Sequence, residues 1–498
     1  MMKKNTSLLL LLISLAVALL AGCSSDSTQS SVTPLSAANL NLIFVVSPDV
    51  AYSSLGDVDP VTANHTSQGL NRSLLMATFL REQVLGSRNV TGIYALQPMS
   101  HLQINNSFPD MSALVNVQQF AMLNQITLLG EGKDQPPFTT GYSYPLNASY
   151  LSGAIPDGVI APSGFCLDCQ GLVFADTAGN NAALAATIIK SNTPGFHLFS
   201  APWETIRTLL AAINQQQGYN LTLPTEYGGG NRIYALSITP AGKASLITFD
   251  SKLNPTATYP TVPGMATLLG SATCPDSTTT SPQGFSITVT KDTPGAIIPP
   301  STVVNRNETL YMIRHAEAHP TTGWEDGNYV AAGQWRALAL PMALRGKIRP
   351  DVVYSVDPAQ LVSPPGSTPN WSYVRPSLTI EPYVIANNLP FYLVSTLELF
   401  PVTTSVANTR DYFFKDPRFS GKTILLAWEH DHIPLIVKAL LVTYGNPTTT
   451  PTLPDTWPSG DYDTIWTVKI DNDGNLTVDN LSCEGINSAL LPATAPRF

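Results

Sequence analysis

The strongest constraint on this 498-residue chain is that it carries the same ordered series of segments twice. Leu42-Ile43-Phe44-Val45-Val46-Ser47-Pro48-Asp49 aligns with Leu310-Tyr311-Met312-Ile313-Arg314-His315-Ala316-Glu317. Each is an apolar run of strand length that ends in a turn. Gln68-Gly69-Leu70-Asn71-Arg72 and Ala332-Gly333-Gln334-Trp335-Arg336 each open an amphipathic helix, running to Leu80 and Leu344. Ile93-Tyr94 through Pro98 matches Val353-Tyr354 through Pro358, and Val117-Gln118 falls where Val374-Arg375 falls. Ala201-Pro202-Trp203-Glu204-Thr205-Ile206 matches Ala427-Trp428-Glu429-His430-Asp431-His432-Ile433, and Ile233-Tyr234 through Gly242 matches Ile465-Trp466 through Gly474. A collinear series of this length does not arise by chance. It predicts two tandem domains of one fold, residues 41–273 and 308–498, joined by a Pro/Thr/Ser-rich connector over 274–307. Both alternate strand and helix patterns. Each is therefore expected to be a three-layer α/β/α domain around a largely parallel sheet. Ligands on such sheets bind beyond the carboxyl ends of the strands, where Ser47 and His315 are expected.

Composition narrows the classes. Apolar residues at 44% suffice for buried cores, and a net charge of −9 with no basic stripe argues against nucleic acid and against coating anionic lipid. At the N-terminus, Lys3 and Lys4 precede an apolar run from Leu8 to Leu20, too short for a mature span. The run ends Leu20-Ala21-Gly22-Cys23, which resembles the lipobox of bacterial lipoproteins. The resemblance implies a signal peptide over residues 1–22, lipidation of Cys23 and a Ser/Thr-rich tether over 23–40. It places the protein outside the cytoplasm, anchored to a bacterial membrane, the outer one because Ser24 rather than Asp follows. An oxidising compartment favours a local disulfide between Cys166 and Cys169, and a single C-x-x-C does not suggest zinc. Cys274 and Cys483 each follow a repeat unit, and their pairing stays open.

The histidines concentrate in the second unit, in two windows: His315 with His319, and His430 with His432. Each window follows an apolar strand, so neighbouring strands would bring both to one pocket. Here a second resemblance becomes specific. Leu310 through Glu317 resembles the signature of the histidine phosphatase (phosphoglycerate mutase-like) superfamily. Arg375-Pro376-Ser377-Leu378-Thr379-Ile380-Glu381-Pro382 resembles the family's helix with the second phosphate-binding Arg. Trp428-Glu429-His430-Asp431 resembles the strand end with its second His. The three pieces stand in family order.

The resemblance implies that His315 attacks phosphorus, that Arg314 and Arg375 hold the phosphate oxygens through their fork-shaped donors, and that His430 adds a donor. Asp431 is the favoured general acid; Glu398, Glu317 and Glu429 remain open as alternatives. His315, His319, His430 and His432 offer four imidazoles that could hold a metal, but Arg314 adjoins His315 and Arg375 is expected nearby. Two fixed cations disfavour a metal and favour a phosphate, so no metal and no cofactor are expected.

In the first unit Val46 stands at the Arg314 position, Ser47 at His315, Gln118 at Arg375, and Trp203 or Thr205 at His430. That unit is expected to be an inactive copy. The sequence thus points to an extracytoplasmic phosphomonoesterase acting on a small-molecule phosphate ester, with mutase activity disfavoured. The reading from another class is a non-catalytic phosphate-ester-binding or surface lipoprotein that keeps the fold. Oligomeric state stays open.

Overall fold

The apolar stretches 42–46 and 310–313, within strands Leu40–Val46 and Glu308–Arg314, leave almost no polar face, so they must be covered on both sides. The computed structural model describes residues 32–52, 56–124, 144–148, 171–262, 264–269, 284–318, 326–360, 371–394 and 402–498. Of the N-terminal unit, Met1–Thr33, only residues 32 and 33 are described, so Cys23 and the leader lie outside the described residues. Among the described residues no helix is long and apolar enough to cross a membrane. The Cys166–Cys169 pair, Cys274, His319 and Glu398 also fall outside them, while Cys483 is disulfide-bonded.

Pro34–Phe498 holds two mixed α/β sheets. The first comprises β1 (Leu40–Val46), β2 (Gly92–Ala95), β5 (Gly195–Ala201), β6 (Arg232–Ile238) and β7 (Ala244–Asp250), with β3 (Leu102–Gln103) and β4 (Phe108–Pro109) forming a separate ribbon. The second comprises β8 (Ser286–Val289), β9 (Glu308–Arg314), β10 (Val352–Val356), β11 (Phe391–Val394), β12 (Thr423–Trp428), β13 (Thr464–Ile470) and β14 (Leu476–Cys483). The strand orders are β2-β5-β1-β6-β7 and β11-β10-β12-β9-β13-β14-β8. Deleting β11 and β8 from the second leaves the order of the first. In each sheet the leading strands run parallel, and β6-β7 and β13-β14 are antiparallel hairpins, with β8 added antiparallel beyond β14 in the second.

Register coincides as well. Val46 pairs with Ala201 as Arg314 pairs with Trp428, and Val45 pairs with Ile233 as Ile313 pairs with Ile465. This pairing equates Ala201 with Trp428 and hence Trp203, not Thr205, with His430. One expected equivalence is corrected. Helices Ser112–Leu123 and Arg375–Asn387 both follow a residue in αR conformation, Met111 and Val374. Ser112 therefore occupies the first helical position that Arg375 takes, and Gln118 lies more than a turn further on. The expected connector is also more than a connector, because Ser286–Val289 within it pairs with β14 as an edge strand.

Packing follows the periodicities. In the helix His432–Thr443 the buried Ile433, Ile436, Val437 and Leu440 lie on one face, against Leu310, Met312, Ile424 and Leu426 of the sheet. Full burial of side chains of this size is worth roughly 1.5–3 kcal/mol each. The two halves also touch. Phe108 stacks on Tyr392 with ring centroids 5.2 Å apart, Asn64 Nδ2 donates to Leu389 O (2.9 Å), and Thr78 Oγ1 donates to Phe498 O (3.0 Å).

Candidate active site

The site forms where β9 and β12, parallel neighbours in register, run out at the same sheet edge. The backbone N–H of His315 donates to Trp428 O (2.9 Å), so the two histidine windows leave the sheet side by side. The His315 and His430 ring centroids lie 6.4 Å apart. The third window joins through a hydroxyl. Ala316 N donates to Thr379 Oγ1 (2.8 Å), and that hydroxyl donates to Arg375 O one helical turn back (2.7 Å). Arg375 opens its helix because Pro376 follows it, and a first-turn proline gives up an N–H that would have had no helical partner. Gly327 backs this start, accepting from Arg375 N (3.1 Å). Gly327 has φ +74°, and a Cβ there would come within 1.9 Å of Ser372 O, so only glycine fits.

Both arginines are buried, each 4% exposed. Arg314 Nη1 donates to the carbonyls of Ser459 (2.6 Å), Asp461 (3.1 Å) and Pro458 (3.4 Å), and the guanidinium lies 3.9 Å from the Tyr462 ring centroid. Among the described residues no carboxylate is within ion-pair distance of Arg314, and its Nε has no partner. Arg375 lies 4.9 Å from the Tyr373 ring centroid, and its Nη1 reaches Asn328 O at 3.5 Å. These buried cations flank His315. Burial, then Arg375, then Arg314 hold its pKa well below the usual histidine value. Its Nδ1 lies 2.7 Å from Ala316 O. A carbonyl can only accept, so Nδ1 carries the ring proton and Nε2 keeps the lone pair.

The acids separate by environment. Glu317 is fully buried and binds Arg336 (2.8 Å), which also pairs with Asp463 and Glu484, and Ser488 Oγ donates to the same Glu317 oxygen (2.7 Å). That removes Glu317 from the open alternatives. Glu429 caps the next helix, its Oε2 accepting from Asp431 N (3.0 Å) and His432 N (3.1 Å). Glu429 Oε2 also holds His432 Nδ1 (2.6 Å), and His432 stacks on Trp428. His430 Nδ1 approaches Glu429 Oε1 to 2.8 Å without the geometry of a hydrogen bond. Burial pushes the Glu429 carboxyl up, but both histidines more than reverse this and hold it well below the carboxylate range.

Asp431 sits at the N-cap position without using its side chain as a cap; it is 68% exposed and 3.6 Å from His430 Nε2. Burial and the Glu429 charge raise its pKa. The structure thus gathers Arg314, His315, Arg375, His430 and Asp431 around one sheet edge, with His432 turned away against Trp428.

Sequence reasoning missed Tyr373, Tyr462 and Thr379, which hold the arginines and the His315 loop. It also missed Asp357, a buried carboxyl just past β10 with one oxygen unpartnered, pushed up by burial to about 7. An acid at an apolar strand's carboxyl end was a legible signal for Asp357. Nothing in the loop sequence marks Tyr462.

No protein-family model matches this chain, and no curated protein does. Among solved structures it is similar to a protein histidine phosphatase SixA complexed with tungstate (18% identity, 34% of this chain and 93% of that one, TM-score 0.22). It is also similar to a mutant phosphoserine phosphatase from Entamoeba histolytica in complex with phosphoserine (17% identity, 43% and 97%, TM-score 0.23). At these TM-scores the likeness carries no weight for the chemistry.

Proposed function

We propose that the chain is a phosphomonoester hydrolase whose second half works through a phosphohistidine on His315. The single observation that carries this reading is the 2.7 Å contact from His315 Nδ1 to Ala316 O, which leaves a neutral ring's Nε2 lone pair between two buried guanidinium groups. In the first step the Nε2–P bond forms as the ester P–O bond breaks, and the leaving alkoxide takes a proton from Asp431. Water then attacks the phosphoimidazole. The P–N bond breaks, Nε2 recovers its lone pair, phosphate leaves, and the water proton returns to Asp431. Arg314 and Arg375 stabilise the charge on the equatorial oxygens, and His430, when protonated, adds a further donor.

The same reading takes the second half as a member of the histidine phosphatase superfamily and the first as a degenerate tandem copy, with Ser47, Ser112 and Trp203 at the positions of His315, Arg375 and His430. The substrate is a small phosphate ester, and the protein works outside the cytoplasm, lipid-anchored through Cys23.

Acid quenching during turnover should trap an acid-labile, base-stable phosphate on the peptide containing His315. His315→Ala should lose both adduct and turnover; full activity in His315→Ala would overturn the assignment. For the anchor, Cys23→Ser should leave the membrane fraction or remain unprocessed. A variant that fractionates with membranes like the parent protein would exclude it.

A further inference from the structure

We infer that the first half holds a divalent-cation site formed by Asp49, His101 and Asp110. Asp49 lies just past the end of β1, two residues beyond Ser47, at the sheet edge that matches the His315 edge of the second half. His101 follows a short turn after β2, and Asp110 precedes the helix Ser112–Leu123.

Donor spacing is the first ground. Metal–ligand bonds of about 2.0–2.2 Å that subtend roughly 90–110° put neighbouring donors about 2.8–3.6 Å apart. His101 Nδ1 lies 2.9 Å from Asp110 Oδ2 and 3.5 Å from Asp49 Oδ2, and all three donor atoms fall within 4.8 Å of one another.

The second ground is an orphan. A proton on Nδ1 serves one hydrogen bond, to Asp110. It leaves Asp49 Oδ2 buried, on a residue only 3% exposed, with no hydrogen-bond partner and aimed at the same point. Its 3.5 Å contact with His101 Nδ1 is no hydrogen bond, and a buried carboxylate oxygen without one is costly. A cation at the centre meets all three donors at once.

The third ground is orientation. Ala51 N holds Asp49 Oδ1 (2.6 Å) and Ser112 N holds Asp110 Oδ1 (3.0 Å), so in both carboxylates the second oxygen turns inward. Phe174 stacks on the His101 ring with centroids 3.6 Å apart and 7° between planes, which fixes where Nδ1 points. Ligating groups held this way by outer partners are typical of built metal sites. One imidazole and two carboxylates suit a divalent first-row cation of the Zn²⁺ or Mn²⁺ type, with the remaining positions left to water or ligand.

The experiment is calorimetric titration of the chelator-treated full chain with Zn²⁺ alone, alongside Asp49→Asn, His101→Gln and His430→Ala. The last controls for Glu429, His430 and Asp431, whose donor atoms also cluster within 4.8 Å. The expected result is a zinc site kept in His430→Ala and weakened at least about tenfold in Asp49→Asn and His101→Gln. Asp49→Asn is nearly isosteric, and its melting temperature without zinc shows whether the fold persists; should His101→Gln fail to fold, Asp49→Asn decides. Absence of zinc binding, or zinc binding that Asp49→Asn leaves unchanged, would overturn the site.

Discussion

At the scale of single residues, the carboxylates around His315 differ in what already holds them. Glu429 is kept ionised by His430 and His432, and Glu317 is committed to Arg336. Among the described residues Asp431 alone combines exposure toward solvent, contact with His430 and a raised pKa. Asp431→Asn is therefore expected to slow hydrolysis of alkyl phosphates by roughly 10²–10⁴-fold and of an activated aryl phosphate far less, because only a poor leaving group needs the proton. The check is kcat across a leaving-group series. Equal damage throughout would move the acid role to Asp357 or Glu398.

At the scale of elements, the first half braces the site of the second. From the middle of helix Ser112–Leu123, Gln118 forms a reciprocal amide pair with Asn328: Gln118 Nε2 donates to Asn328 Oδ1 (2.9 Å), and Asn328 Nδ2 donates to Gln118 Oε1 (3.1 Å). Asn328 Nδ2 also reaches Tyr144 O (3.0 Å), and Asn328 O faces Arg375 Nη1. A sequence reading that placed Gln118 at the lost phosphate arginine missed this use, since the side chain points across to the other half. Gln118→Leu takes one hydrogen bond from each end of the buried Asn328 amide, which keeps Tyr144 O and Tyr329 N as partners, an expected stability loss of about 1 kcal/mol. Because Asn328 positions Arg375, inhibition by inorganic phosphate should weaken several-fold and KM rise more than kcat falls. A stability loss with KM and phosphate inhibition unchanged would reduce Gln118 to a packing residue.

At the scale of the whole molecule, pH acts through buried groups of opposite sense. Glu381 lies in the cavity where Leu70 and Leu74 of the first half meet Tyr329 and Leu378 of the second. Neither of its oxygens has a hydrogen-bond partner, and burial pushes it up to about 8. A folded pKa above the ordinary 4.5 means stability is fully present below about 4.5 and is lost as pH rises to about 8, at up to about 1.4 kcal/mol per pH unit. His65 and His197, lowered by burial to about 4, act the other way: their contribution is complete above about 6.5 and is lost as pH falls toward 4. Between 4.5 and 6.5 the two senses oppose, and above 6.5 the contribution of these two histidines is constant. Glu381→Gln, which keeps the shape and cannot ionise, should therefore gain on the parent protein in melting temperature from pH 5 to pH 8, then level off. A difference that stays flat over that range would show that Glu381 does not titrate in the fold.

The sequence alone determined the order of strands and helices, because apolar periodicity is a local property. It equally determined the two windows that end in Arg314-His315 and Glu429-His430, because each rides on the end of such a strand. The recurrence of segment types along the chain was legible for the same reason, and the strand pairings of Val45, Ile93 and Ile233 fall in the same places as those of Ile313, Val353 and Ile465. Tertiary structure alone decided which group is tied to which. Arg336 reaches Glu484 across 148 positions of chain and Gln118 reaches Asn328 across 210. Residues 286–289 became an edge strand only because β14 offered an open edge. Whether a carboxylate is a proton donor, a helix cap or half of a buried ion pair depends on distances of 3 Å between segments far apart in sequence. Such distances exist only once the sheets and helices have packed.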